Sequence, residues 1–177
     1  YKVCVTVIIM NERKKIHKCF PVWNFDKEEH WLNEMAMNGW TLVGVGFCRY
    51  TFEKCEQGEY TIRLEMHNSD DAYLSFMEET GAEYVGRMSQ WIYFRKKTEL
   101  GHFDIFSDID SRIKHLDRIS KMLTAIGFAN LLIGIANTIN SPHIGWINLI
   151  GATVLMYALG RIHGKKDSLE QERQLHE

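Results

Sequence analysis

Between Lys121 and Arg161 the chain runs for 39 residues without one Asp, Glu, Lys or Arg, although 25% of its residues are charged. A single straight helix of that length would extend about 58 Å at about 1.5 Å per residue, against a bilayer core about 30 Å thick. The stretch divides at Asn140-Ser141-Pro142-His143. Pro142 donates no backbone hydrogen bond, and Asn-Ser-Pro is turn chemistry. The sequence therefore predicts two legs, Met122–Ile139 and Ile144–Gly160, each near the lower end of spanning length. A buried soluble helical hairpin would keep a charged outer face, and neither leg has one. The expected element is a transmembrane hairpin over 122–160.

The flanks orient it. Arg112, Lys114, Arg118 and Lys121 precede the first leg, Arg161, Lys165 and Lys166 follow the second, and the connecting loop has no Lys or Arg. The positive-inside bias puts both termini in the cytoplasm, as a multi-pass protein of the cell membrane. In the first leg Gly127, Asn130, Gly134 and Asn137 recur on one helical face, and Gly145, Asn148 and Gly151 do the same in the second. Small and hydrogen-bonding residues let helices approach closely in lipid, so Asn130, Asn137 and Asn148 read as intramembrane packing residues. A turn at Ser141–Pro142 would set Asn130 opposite Thr153 and Asn137 opposite Trp146.

Ahead of the membrane the periodicity changes. Residues 1–12 read as an unstructured or extra N-terminal segment. "YKVCVTVII" is too short for a signal peptide, and "MNERKKIHK" reads as a natural start at Met10. "KKIHKCFPVW" reads as a strand. Asp26 with Glu29 resembles a capping box, opening a helix with Trp31, Leu32, Met35 and Ala36 that Asn38-Gly39-Trp40 stops. "GFCRYTFEK" and "EYTIRLEMH" read as a hairpin through Glu-Gln-Gly, Asn68 or Ser69 caps a second helix that Gly81 ends, and "AEYVGRMSQWIYFRKK" reads as a closing strand pair. The order β-α-β-β-α-β predicts an α+β, ferredoxin-like sandwich over 13–100. A helical linker over 101–121, capped by Ser107 or Asp108, leads into the hairpin, and a charged cytoplasmic tail occupies 161–177.

Such a sheet leaves one face open. Alternation sets Tyr60, Ile62, Leu64 and Met66 with Ile92 and Phe94, and Thr61, Arg63 and Glu65 with Trp91, Tyr93 and Arg95. Arg63, Trp91, Tyr93 and Arg95 are thus the candidate partner- or ligand-binding residues, since rings and guanidinium groups together suit recognition. A solvated face with ordinary cross-strand pairs has the same pattern.

The chemistry is otherwise sparse. The net charge is −2, and residues 10–100 carry twelve Lys/Arg against fifteen Asp/Glu, a balance that argues against direct nucleic-acid binding. Cys4, Cys19, Cys48 and Cys55 follow no metal spacing and read as free thiols in a reducing compartment. The carboxylate pairs Glu28/Glu29, Asp70/Asp71 and Glu78/Glu79 suit helix starts or solvated faces better than acid–base work. Neither a metal site, a cofactor motif nor a nucleophile with its base stands out, so the expectation is no enzyme, no metal and no cofactor. Two function classes stay open: a membrane-anchored regulatory adaptor, or a ligand- or lipid-binding accessory module of a membrane exporter. The bilayer is the first expected partner, and a homo-oligomer is compatible with either class.

"VWNFDKEEHWLNEMAMNGWTL", with "YTFEK", "EYTIRLE", "TGAEYVG", "WIYFRK" and "FSD", resembles the bacterial family catalogued as domain of unknown function 2812, over about residues 13–110. Its most specific part is Glu29, Trp31-Leu32-Asn33, Met35-Ala36 and Gly39-Trp40. The family commonly has Gly-Trp where this chain has Gly81-Ala82. The resemblance implies C-terminal transmembrane segments and a neighbouring winged-helix transcriptional repressor of the PadR type. It implies no catalytic residues.

Overall fold

A computed structural model describes residues 12–67, 71–106, 108–140 and 142–176. The expected N-terminal segment up to residue 11, and the caps at Asn68, Ser69 and Ser107, lie outside the described residues. The chain forms two compact units. One holds the chain up to Phe20 together with Lys27–Phe103, and the other holds Pro21–Asp26 with the chain from Asp104 onward.

Among the described residues the first unit contains six strands: β1 (Arg13–His17), β2 (Trp40–Gly46), β3 (Arg49–Lys54), β4 (Tyr60–Met66), β5 (Ala82–Met88) and β6 (Trp91–Lys97). Helices α1 (Phe25–Met37) and α2 (Asp71–Glu79) complete two successive β-α-β-β runs. The α+β class is as expected, but the strands are organised differently. Two three-stranded antiparallel sheets, ordered β1-β3-β2 and β4-β6-β5, stand where the β-α-β-β-α-β reading expects one. "YTFEK" and "EYTIRLE" do not pair with each other. β3 pairs instead with β2 through the two-residue turn Phe47-Cys48, and β4 pairs with β6.

From the ends of α1 and α2 onward the halves repeat one another at a constant offset in sequence. Gly39 and Gly81 end α1 and α2 at positive φ (79° and 83°), the left-handed stop that glycine adopts without a Cβ clash. Bulges fall at the same place in both sheets, between Leu42 and Gly44 and between Tyr84 and Gly86. Phe52 and Phe94 occupy matching positions in the central strands and are fully buried. The core is made by Leu32, Leu42, Phe52, Ile62, Leu64, Ile92 and Phe94. Cys19 and Cys48 are joined in a disulfide, contrary to the expectation of free thiols, while Cys55 is free. They lie 29 residues apart, and proximity comes from the β1–β3 pairing that sets His17 beside Arg49.

In the second unit, α3 (Ile109–Asn140) and α4 (Pro142–His176) are continuous helices, so the expected linker and tail are extensions of the two legs. Asp108 caps α3 reciprocally: its Oδ1 accepts from Ser111 N at 2.7 Å, and its own N–H donates to Ser111 Oγ at 3.3 Å. Both helices are long and apolar enough to cross a membrane, and only 17% and 22% of their most apolar stretches are buried. A core helix of a soluble protein would be mostly buried. Here Phe128, Leu132, Ile135, Ile139, Trp146, Ile147 and Ile150 are exposed.

The helices meet along a seam of small residues. A Cβ at Gly134 would lie 3.0–3.3 Å from Leu149 and Asn148, and one at Gly127 would lie 3.6 Å from Leu155. These contacts set the two legs against each other as expected, and Ser141, where the turn is expected, lies outside the described residues. Below the apolar section Lys166 pairs with Asp117 at 2.7 Å, and Arg173 pairs with Asp110 at 3.0 Å.

Candidate functional site

α1 carries an acid where its neighbours are apolar. Glu28, Leu32 and Ala36 are spaced by four, share one helical face, and are all buried. The Oε1 of Glu28 accepts from the Tyr50 hydroxyl at 2.7 Å and the Tyr93 hydroxyl at 2.6 Å. Tyr50 stands on β3 and Tyr93 on β6, the central strands of the two sheets. One carboxylate thus ties the helix to both sheets. Burial raises the Glu28 pKa, and the two phenolic donors oppose that rise. Both phenols are pushed well above the usual tyrosine range, by burial first and by the facing carboxylate second, so they stay protonated and donate.

The next acid on α1 does different work. Glu29 Oε2 accepts from Leu64 N at 3.2 Å, and Asn33 both accepts from Ile62 N (2.9 Å) and donates to Ile62 O (2.8 Å). β4 stands at one end of its sheet, and these side chains satisfy its outward backbone groups in place of another strand. Asn33→Ala should cost about 2 kcal/mol, two net hydrogen bonds, read as a lower Tm for the detergent-solubilised chain.

The four residues expected to share an open face are divided by the structure. Residues paired across a ladder point to the same side, and the pairs are Ile62 with Arg95, Leu64 with Tyr93, Met66 with Trp91, and Arg63 with Phe94. Arg63 therefore lies opposite Trp91, Tyr93 and Arg95, which corrects the expected alternation by one residue. Trp91 is 8% exposed and Tyr93 1%, so these rings belong to the interior. Arg95 makes two contacts of 2.8 Å to Glu83, reaches Leu42 O at 3.3 Å, and lies over the Tyr60 ring. Arg63 pairs with Glu29 at 3.3 Å. Large exposed side chains of this unit occur elsewhere: Phe47 in the β2–β3 turn, Phe76 on α2, and Tyr84 on β5.

The second unit has its own cluster. Pro21 leads into a 3-10 turn over Val22–Asn24, and Lys165 of α4 donates to Trp23 O at 2.8 Å and to Asp26 at 2.7 Å. Asp26, expected as a helix cap, instead holds this lysine. The Trp23 ring meets Tyr157 edge-on at 5.8 Å, and Phe25 and Phe106 both pack on the buried His115. Within the hairpin Asn130, Asn137 and Asn148 are half-buried. Asn130 and Thr153 do not bond to each other as their pairing suggests. Each bonds within its own helix, to Ile126 O and Leu149 O respectively.

A family model described as "Protein of unknown function (DUF2812)" matches residues 24–128. The chain belongs to this family. The DUF2812 match opens at Asn24, spans α1, α2 and the strands β2 to β6 but not β1, and ends within the first long helix. It therefore includes the Glu28–Tyr50–Tyr93 cluster, the Glu29 and Asn33 bonds to β4, and the cap at Asp108. No curated protein and no solved structure matches the chain.

The sequence reading sets Glu28 among helix-start or solvated acids and Tyr93 on an open face, and does not join either to Tyr50. The available signal was an acid standing four and eight residues before Leu32 and Ala36 on the apolar stripe of a helix, where a charge requires partners. Among the described residues no group of three His, Cys, Asp or Glu is arranged to hold a metal ion.

Proposed function

We propose that this DUF2812 member is a membrane-anchored, non-enzymatic regulatory adaptor. Its hairpin holds it in the cell membrane with both termini cytoplasmic, and its α+β unit binds a protein partner. The observation that supports the anchor is the outward apolar surface of α3 and α4, whose exposed residues run from Ile126 to Ile139 and from Trp146 to Tyr157. Lys114, Arg118 and Lys121 on α3 and Arg161 on α4 are exposed just outside that surface, the distribution expected on a cytoplasmic flank.

The partner proposed from the family resemblance is a winged-helix repressor of the PadR type. Anchoring it would raise its concentration near the bilayer and draw it away from DNA. With Trp91 and Tyr93 in the interior, the exposed rings of Phe47 and Phe76 become the better anchors for such an interface.

Two measurements test the reading. A cysteine placed at Ser141 should react with an impermeant reagent from outside intact cells, whereas reaction only after permeabilisation would reverse the topology. The repressor encoded beside the gene should co-purify with the wild-type chain in detergent and be lost with Phe47→Ser or Phe76→Ser. Failure to recover it, with unchanged transcription of the neighbouring operon on deletion, would overturn the adaptor role and favour ligand binding.

A further inference from the structure

We propose that Cys19 and Cys48 form a reversible thiol–disulfide switch, opened by a low-molecular-weight thiol and closed by its disulfide, that governs how firmly the connector over residues 18–26 is held. Cys19 lies two residues beyond β1 and two before Pro21, on the exposed surface. Cys48 is half-buried in the β2–β3 turn. An attacking thiol can therefore reach the Cys19 sulfur from solvent. Access decides whether a disulfide exchanges or persists.

Basic residues flank both cysteines in sequence. Lys18 precedes Cys19, Arg49 follows Cys48, and His17 is paired with Arg49 across the ladder. The nearest described carboxylate on these strands, Glu53, sits at the far end of the pairing and is engaged by Arg13 at 2.8 Å.

The position gives the bond a consequence. The core of this unit, with Leu32, Leu42, Phe52, Ile62, Leu64, Ile92 and Phe94 fully enclosed, is complete without it. Where the chain leaves β1, one backbone bond, Lys18 N to Cys48 O at 3.1 Å, runs beside the disulfide. The residues that follow, Pro21–Asp26, belong to the other unit, where Trp23 and Asp26 hold Lys165. Opening the disulfide leaves that hydrogen bond and the packing of the Lys18 and Phe20 side chains on Trp31 to restrain the connector's start.

The chemistry balances without a metal or enzyme. A thiolate attacks the Cys19 sulfur, the Cys19–Cys48 bond breaks, and Cys48 leaves as a thiolate that takes a proton. A second small thiol attacks the mixed disulfide and frees Cys19. Two small thiols have then become one disulfide, passing two electrons and two protons to the protein. Closure is the reverse.

The test uses the full chain in detergent, equilibrated in glutathione buffers of graded reduced-to-oxidised ratio and trapped with a mass-tagged maleimide. Hydrogen exchange is read at the two extremes. The expected result is that two thiols appear within the range of ratios, disappear again on adding oxidised glutathione, and that 18–26 loses exchange protection while β6 keeps it. Cys19→Ser should show the same loss in oxidising buffer. A bond that yields only after denaturation would overturn the proposal. So would reduction that leaves 18–26 unchanged, or reduction that also exposes β6, since the bond would then be passive or a structural staple. The assay is indifferent to what the domain binds and to which side of a membrane it faces.

Discussion

Gly145→Leu should force the two long helices apart and cost about 3 kcal/mol, at the upper end of what overpacking usually costs. The reason is what a side chain at Gly145 would meet. A Cβ there would lie 2.7 Å from the backbone nitrogen of Thr138 and 2.8 Å from its Cα, and would also strike the threonine hydroxyl. Side-chain tips can swing away, but the backbone of a facing helix moves only as a body. In lipid there is no hydrophobic penalty for separating two apolar helices, so close van der Waals contact is what holds them together. The change should lower the Tm of the detergent-solubilised chain. It should also abolish disulfide formation between cysteines introduced at Gly134 and Asn148, whose facing carbons are in close contact across the seam. Gly160→Ala supplies the control. Nothing lies within 4 Å of a Cβ there, so that variant should be neutral or gain a few tenths of a kcal/mol from helix propensity. Equal losses in both variants would show that the seam is not what joins the helices.

The parts of this fold visible in the sequence are those whose signal is local. The charge-free stretch with Pro142 at its middle marks two helices because each leg needs only its own residues to declare itself. Gly39 and Gly81 likewise end α1 and α2 by backbone geometry alone. Pairing between strands is not local, and there the reading departs from the structure. β2 was hidden because Gly44 and Gly46 dilute its strand character and a bulge after Leu42 breaks the alternation. The face of β6 was misassigned because Trp91, Ile92, Tyr93 and Phe94 are all buried, on both sides of the sheet, so alternation cannot set the register. Arg63 was thereby placed with residues it does not accompany. The Cys19–Cys48 bond depends on that same long-range pairing, and no spacing rule contains it. Glu28 was concealed by Glu29, since two adjacent acids near a helix start look like solvated first-turn residues until the turn of the helix is seen to direct one inward.

That inward acid contributes to the pH response of the first unit. Burial raises the Glu28 pKa above its unfolded value, so the folded state holds the proton more tightly than the unfolded chain does. The associated stability is fully present below the unfolded carboxylate pKa and is lost as pH rises through the folded one. Unfolding followed from the acid side of the carboxylate range to neutral should therefore show this contribution falling. Glu28→Gln keeps an Oε1 that can accept both phenols and has no ionisation to suppress, so its stability should lack this part of the pH dependence, matching wild type on the acid side and exceeding it at neutral pH. Glu28→Leu removes the acceptor. Two buried hydroxyls on β3 and β6 would then be unpaired, at about 1–3 kcal/mol each, for a loss of about 2–6 kcal/mol. A domain whose total stability is of the order of 5–15 kcal/mol would feel that as a large fall in Tm. Tyr93→Phe, which deletes one donor and leaves the other, should fall between the two variants. If the leucine variant matched the glutamine variant instead, the hydroxyls would have found other acceptors, and the tie from α1 to both sheets would rest on packing alone.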